Sequence, residues 1–155
     1  MRKPSILLVD DEPTNIKILV EVLRVDYDLL IATSGEQALE QVKDHHDEID
    51  LILLDVNMPE MSGIDVLAQI NLNTAWRQIP VIFVTARNEE GDEALGLQQG
   101  AVDYITKPVC APIVRARIST QMMLQDAKKE LEAQNRVLEQ KVRERTEEIS
   151  HTQDV

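Results

Sequence analysis

The first 105 residues carry short runs of aliphatic residues, separated by longer segments of mixed polarity. The runs cover residues 6–9, 29–31, 51–54, 81–84 and 102–105. Each run has the length of a strand and is apolar on both faces. Such runs are typical of parallel strands that lie between two layers of helices. The pattern therefore predicts five parallel strands that are buried on both faces.

The segments between the runs have apolar residues three and four positions apart, the spacing of one helix face. The clearest sets are Ile16, Leu19, Val20 and Leu23, then Ala38, Leu39 and Val42, then Ile64, Leu67 and Ala68. Pro13 suits a first helical turn, and Ser34 and Ser62 suit N-caps. Gly100 is expected to end a helix over residues 89–99. These alternations predict an α/β fold, a doubly wound five-stranded parallel sheet of flavodoxin-like order 2-1-3-4-5, by analogy with its commonest small version.

The chain changes character after Pro112, because residues 113–150 contain neither Gly nor Pro. This segment predicts one helix of more than 30 residues. Its first half is apolar enough to cover the sheet. The apolar positions there are Ile113, Val114, Ile118 and Met122.

The second half of this helix has a heptad pattern. The repeating positions are Leu124, Leu131 and Leu138, with Asn135, Val142 and Ile149 at the paired positions. This pattern predicts a parallel two-stranded coiled coil, and therefore a homodimer through the C-terminal helix. A single solvated helix is the alternative, because Lys128 and Arg145 interrupt the seam. Such a helix would be only marginally stable alone in water.

The composition is that of a folded, acidic chain. Hydrophobic residues make up 43%, and 16 Lys and Arg against 28 Asp and Glu give a net charge of −12. This balance argues against nucleic-acid binding by this chain, because phosphate contacts need a basic face. No apolar run approaches the ~20 residues that span a bilayer, and the N-terminus does not resemble a signal peptide. Cys110 is the single cysteine, which excludes an intrachain disulfide and a cysteine-built zinc site. We expect a soluble, cytoplasmic protein.

Chemically active side chains follow the predicted strands at their carboxyl ends, where open parallel sheets bind ligands. Asp10 and Asp11 follow the first strand and Asp55 follows the third, its expected neighbour. Three carboxylates in a partly buried pocket repel one another unless a cation or a raised pKa resolves the conflict. Hard oxygen ligands with room for water suit Mg2+. The sequence therefore predicts a magnesium site.

Two further groups complete a site for a phosphoryl group bonded to a carboxylate. Thr85 follows the fourth strand and supplies a hydroxyl, and Lys107 follows the fifth strand and supplies a positive charge. Metal and Lys107 would neutralise phosphoryl charge while one Asp acts as nucleophile. Each residue alone has an ordinary explanation; Asp11, for example, could simply cap the first helix. The joint arrangement at four strand ends favours the functional interpretation.

Four segments carry a resemblance to a known family: LVDDE at 8–12, DVNMPEMSG at 55–63, VTA at 84–86 and YITKP at 104–108. Together they resemble the receiver domain of bacterial two-component response regulators, over residues 4–124. The resemblance implies that a histidine kinase or a phosphotransfer protein supplies the phosphoryl group. It also implies that Asp55 is the phospho-acceptor. Asp10, Asp11 and Asp55, with the backbone carbonyl of Asn57, would then hold Mg2+.

The same resemblance implies a switch. Thr85 and Lys107 would contact the phosphoryl group, Tyr104 would be the switch aromatic, and the Lys107–Pro108 peptide bond would be cis. Phosphorylation would draw the Thr85 hydroxyl inward and vacate space for Tyr104 to rotate into. That movement would repack the face formed by the helix over 89–99, the fifth strand and the C-terminal helix.

The tail over residues 125–155 resembles a second feature of the family. LEQKVRERTEEI at 138–149 is similar to the signalling helix that joins receivers to output domains. TQDV at 152–155 resembles the start of an HD-GYP cyclic di-GMP phosphodiesterase domain, whose metal-binding residues are absent here. We therefore expect a coiled-coil linker that stops before an output domain, and no output enzyme site in this chain.

Three other functions are alternatives for a chain of this predicted fold. A small phosphatase of similar fold with an aspartate nucleophile would want two acids separated by one residue, whereas Asp10 and Asp11 are adjacent. A flavin-binding electron carrier needs a Ser-, Thr- or Gly-rich phosphate loop after the first strand, where this chain has acids that would repel a phosphate. A scaffold with a dead site is disfavoured because every group of the site is present.

Overall fold

The computed structural model describes the backbone of residues 3–86 and 100–153, and the side chains of residues 3–86 and 100–145. The chain divides into two compact units, Met1–Ser119 and Thr120–Val155. The functional division expected from the sequence, at residue 124, stays a prediction. In the part of the chain that is described, no helix has the length and apolar character needed to cross a membrane.

The first unit contains one sheet of five parallel strands in the order β2-β1-β3-β4-β5, which confirms the predicted topology. The strands are β1 Ser5–Val9, β2 Asp28–Ala32, β3 Ile49–Asp55, β4 Val81–Ala86 and β5 Asp103–Lys107. The prediction that the strands are buried on both faces is confirmed for β1, β3 and β4 but is wrong for the two edge strands, β2 and β5. Ile31 of β2 is 42% exposed, and Thr106 of β5 is exposed as well. The reason is positional, because helices cover the centre of a doubly wound sheet better than its edges.

Within residues 3–86, three helices connect the strands: α1 Pro13–Leu23, α2 Gly35–His45 and α3 Gly63–Asn71, with a short 3-10 helix at Trp76–Gln78. The predicted caps are confirmed, since the Ser34 hydroxyl accepts from the Gln37 N–H and Ser62 forms a capping box with Asp65. The helix predicted over residues 89–99 lies outside the described residues. Gly100 itself has a φ of +112°, the backbone conformation expected of it.

The core is mainly aliphatic, because aromatic residues make up only 3% of the chain. Side chains of β1, β3 and β4 pack with those of α2 and α3 in one buried cluster, of which Phe83 is the aromatic member. Trp76 and Tyr104 pack against this cluster while partly exposed. The central strands are thereby fixed, and their carboxyl ends are held in a constant arrangement.

The last helix, α4, covers Ala111–Gln153 and is 43 residues long, so it begins two residues before the predicted start and includes Pro112 in its first turn. Val114 and Ile118 are fully buried, as expected of side chains that cover the sheet. Ile113 is 50% exposed, so its predicted packing is wrong. The side chains of residues 113 and 114 point in directions about 100° apart around a helix, and only one of the two can face inward.

Candidate functional site

The predicted acidic residues meet at the carboxyl ends of β1 and β3. Val9 pairs with Leu54 in the sheet, so Asp10 follows Val9 directly beside Asp55. Both carboxylates are 1% exposed. One carboxylate oxygen from each of Asp10, Asp11 and Asp55 lies within 4.8 Å of the others.

Backbone amides orient two of these carboxylates. The Glu12 N–H donates to Asp10 Oδ1 at 2.9 Å, and the Asn57 N–H donates to Asp55 Oδ1 at 3.3 Å. The N-cap of α1 is Glu12, which makes no side-chain capping bond, so Asp11 does not cap this helix. The Asn57 side chain is exposed, and the expected role of its carbonyl stays a prediction.

Lys107 reaches into this group from the end of β5. Its Nζ lies 3.1 Å from Asp55 Oδ1 and 3.5 Å from Asp10 Oδ2. Burial lowers the pKa of Lys107, but the charge of Asp55 and the hydrogen bond to it outweigh burial, so the net change is a rise. The Lys107–Pro108 peptide bond is cis, as the sequence resemblance implied.

One ammonium group does not neutralise the two buried carboxylates. Burial first, and the charge of Asp10 second, raise the pKa of Asp55 to about 7, although Lys107 and the Asn57 N–H lower it. Among the described residues, Asp10 Oδ2 and Asp55 Oδ2 are the buried side-chain oxygens without a hydrogen-bond partner, since Lys107 lies at ion-pair distance, 3.5 Å, from Asp10 Oδ2. Buried polar atoms without partners are rare, and a bound ion or ligand is the usual explanation for them. Three carboxylates with two such oxygens fit a divalent cation that prefers oxygen ligands.

Thr85 and Tyr104 lie on the neighbouring strands β4 and β5. Thr85 is fully buried, and its Oγ1 donates a long hydrogen bond to the Ala86 carbonyl at 3.4 Å. Thr85 pairs with Thr106, two residues from Tyr104, so Thr85 and Tyr104 point to the same face of the sheet. This placement is compatible with a switch pair, and the switch itself stays a prediction.

The contact that shapes the turn after Asp55 was not predicted from the sequence pattern. A Cβ atom on Gly63 would lie 2.3 Å from the carbonyl oxygen of Asp55, which no backbone tolerates. The Gly63 N–H also donates to the Val56 carbonyl at 2.9 Å. Glycine at the first position of α3, directly after the cap Ser62, was the available signal, because glycine weakens a helix unless close approach requires it.

Comparison with known proteins agrees with this architecture. The family model of the response regulator receiver domain matches residues 6–119. The chain is 43% identical over 150 residues to a protein from Vibrio cholerae described as a probable cyclic di-GMP phosphodiesterase, covering 97% of this chain and 34% of that protein. It is 45% identical over 105 residues to the Escherichia coli transcriptional regulatory protein CpxR, covering 67% of this chain and 43% of CpxR.

Solved structures give the same result. A receiver domain protein from Clostridium thermocellum superposes with a TM-score of 0.71 at 29% identity, covering 83% of this chain and 98% of that one. The chain spans only a third of the Vibrio cholerae relative and less than half of CpxR. Sequence, sheet order and strand-end residues therefore agree: the chain belongs to the family of response regulator receiver domains of two-component systems.

Proposed function

We propose that this receiver accepts a phosphoryl group on Asp55 in a reaction that requires Mg2+. The observation that carries the proposal is the meeting of Asp10, Asp11 and Asp55 with the ammonium group of Lys107 at one end of the sheet. The receiver family implies a histidine kinase or a phosphotransfer protein as the donor.

The two oxygens of Asp55 have different environments. Asp55 Oδ1 accepts from Lys107 and from the Asn57 N–H, whereas Oδ2 has no hydrogen-bond partner. We assign Oδ2 as the attacking oxygen. A P–O bond forms at this oxygen as the P–N bond of a phosphohistidine breaks, and the imidazole nitrogen keeps the electron pair of that bond.

Other groups of the site neutralise and position charge during this step. Lys107 offsets negative charge on the phosphoryl oxygens, and the Thr85 hydroxyl donates to one of them. Asp10 and Asp11, with Asp55 and the Asn57 carbonyl, would hold Mg2+. The cation, when bound, supplies positive charge that both the buried carboxylates and the phosphoryl group require.

The test is labelling of the full chain with acetyl phosphate, and formation of a beryllofluoride adduct, each with and without EDTA. Intact-mass spectrometry should show one phosphoryl group, lost in Asp55→Asn and in EDTA but retained in Asp44→Asn. Asp44 is exposed, so this control removes a charge of the same kind away from the site. Labelling that survives the Asp55 substitution or chelation contradicts the assignment. Multiple turnover of a generic phosphomonoester would instead favour the phosphatase.

We further propose that the second unit makes the protein dimeric. Leu124, Leu131, Leu138 and Val142 are each more than half exposed, at 56%, 60%, 60% and 57%. These side chains follow the heptad spacing, and a second copy of the helix would remove them from water. The short seam contains Asn135, so we expect association that depends on concentration.

Sedimentation tests this second proposal. The double substitution Leu131→Asp with Leu138→Asp should give monomers at concentrations where the wild type dimerises, and truncation after residue 119 should give a monomer that is still phosphorylated. The control, Lys129→Asp with Arg136→Asp, changes charges at exposed positions outside the seam and should preserve the dimer. Wild-type association of the leucine variant means that the interface lies elsewhere.

A phosphorylated receiver needs a target for its signal. We propose that the helix passes the switch to an output domain, by changing the rotation or splay of two paired helices. The Vibrio cholerae relative, described as a probable cyclic di-GMP phosphodiesterase, supports an output of that type in a parent protein. Restoring such a domain and measuring cyclic di-GMP hydrolysis, with and without beryllofluoride, tests this step; equal rates would contradict it.

A further inference from the structure

A second charged group lies on β5 at the opposite end from Lys107. The Asp103 carboxylate accepts from the Tyr104 N–H at 2.8 Å. It also accepts from Arg117 Nη1, with distances of 2.9 Å to Oδ1 and 3.0 Å to Oδ2. Arg117 is on α4 within the first compact unit, so the helix and the strand are joined here by a charge-assisted contact.

The same arginine also contacts the tyrosine ring. Arg117 Cζ lies 6.0 Å from the centroid of Tyr104, within the range of a cation–π interaction. Asp103 fixes the guanidinium from one side, while Tyr104 is partly buried against the core cluster. The ring position in this structure is therefore stabilised from two directions: by core contacts and by an arginine that an acid holds in place.

We infer that Arg117 is a positioning residue that holds the Tyr104 ring in its present, partly exposed place and so opposes phosphorylation of Asp55. The inference rests on the proposed function and on the switch expected from the sequence resemblance, in which Tyr104 rotates inward beside Thr85. A ring that rotates inward leaves the guanidinium face. Whatever favours the present ring position over the inward one must disfavour phosphorylation, by up to the same factor, because the two equilibria are linked.

The expected effect is moderate, because the Arg117 side chain is 44% exposed and water weakens both contacts. A cation–π contact at such a site corresponds to about a two- to fivefold change in an equilibrium constant. The Asp103–Arg117 ion pair orients the guanidinium and contributes little by itself at this exposure.

The direct test observes the tyrosine ring without any phosphoryl donor. The chain has two tyrosines, Tyr27 and Tyr104, so NMR of protein with 13C-labelled tyrosine gives two assignable sets of ring signals. Arg117→Gln should move the Tyr104 signal towards its position in the beryllofluoride adduct and leave Tyr27 unchanged. Arg115→Gln, an exposed change two residues away, should move neither. An unmoved Tyr104 signal in Arg117→Gln overturns the inference.

The second test is a double-mutant cycle on formation of the beryllofluoride adduct. In titrations with beryllofluoride and Mg2+, the adduct of Arg117→Gln should form at about a two- to fivefold lower half-saturating concentration than that of the wild type, and the adduct of Arg115→Gln at the wild-type concentration. In a Tyr104→Ala background, Arg117→Gln should have no further effect. An increase in affinity that persists without the ring, or no increase at all, overturns the inference. Failure of the wild type itself to be labelled would instead refute the proposed function, whereas the ring signals would still report on the contact.

Discussion

Replacing Asp55 by Asn should stabilise the metal-free protein at neutral and alkaline pH. The amide keeps an acceptor oxygen for Lys107 and for the Asn57 N–H, but it carries no charge. The carboxylate is 1% exposed and lies beside Asp10, so its ionised form is destabilised in the fold. Removing that charge should therefore increase the free energy of unfolding.

The size of this effect follows from the pKa. Burial and the charge of Asp10 raise the pKa of Asp55 from 3.8 to about 7. Each tenfold change in proton affinity corresponds to about 1.4 kcal/mol, so keeping Asp55 ionised in the folded protein costs about 4 kcal/mol above pH 7. This pKa already includes the contact with Lys107, so only an imperfect fit of the amide reduces the gain, and we expect a net gain of about 2–4 kcal/mol at pH 8.

The sign of the pH dependence is fixed by the same numbers. The folded protein binds this proton more tightly than the unfolded chain does. The stability that protonation of Asp55 contributes to the folded protein is therefore complete below pH 3.8 and is lost as the pH rises to about 7. The advantage of Asp55→Asn should be small at pH 4 and should increase through that window.

Urea unfolding in EDTA at pH 4, 6 and 8 measures the difference. Trp76 is the single tryptophan and packs against the core cluster of the first unit, so its fluorescence reports on the relevant fold. Asp44→Asn is the control for a general loss of one negative charge. The reasoning fails if Asp55→Asn is no more stable than the wild type at pH 8, or if its advantage is the same at pH 4.

Two further substitutions test the parts around Asp55. Asp11→Ala should abolish the rise in melting temperature that Mg2+ gives the wild type. The metal-free variant should be as stable as the wild type or more stable, because a like charge is removed from the site. A sharp fall of the melting temperature in EDTA would instead indicate a structural role of Asp11. Gly63→Ala should lower the free energy of unfolding by about 1–3 kcal/mol and slow labelling of Asp55, since the new Cβ would meet the backbone at 2.3 Å. Gly35→Ala is the matched control, because its Cβ would meet only the side chain of Met61, at 2.8 Å. This variant should therefore lose less stability than Gly63→Ala. Equal losses of stability in the two variants would contradict the backbone clash at Gly63.

The sequence by itself determined the elements and their order of connection. Short aliphatic runs that alternate with amphipathic segments of helix length favour buried parallel strands, and caps such as Ser34 and Ser62 act through bonds to residues three positions away. The position of the acids also followed, because parallel strands all end at the same side of a sheet. Asp10 and Asp55 therefore had to approach one another once β1 and β3 were neighbours.

The tertiary structure decided those features that depend on contacts between residues far apart in the sequence. Edge strand β2 is half exposed because its burial depends on what covers it, and Ile113 is exposed because the direction of α4 selects Val114 instead. The Arg117–Asp103 pair joins residues fourteen positions apart on different elements, and the local periodicity of the sequence does not predict such a contact. The raised pKa of Asp55 likewise has no counterpart in the sequence, because desolvation and repulsion exist only after the fold has excluded water and brought two carboxylates together.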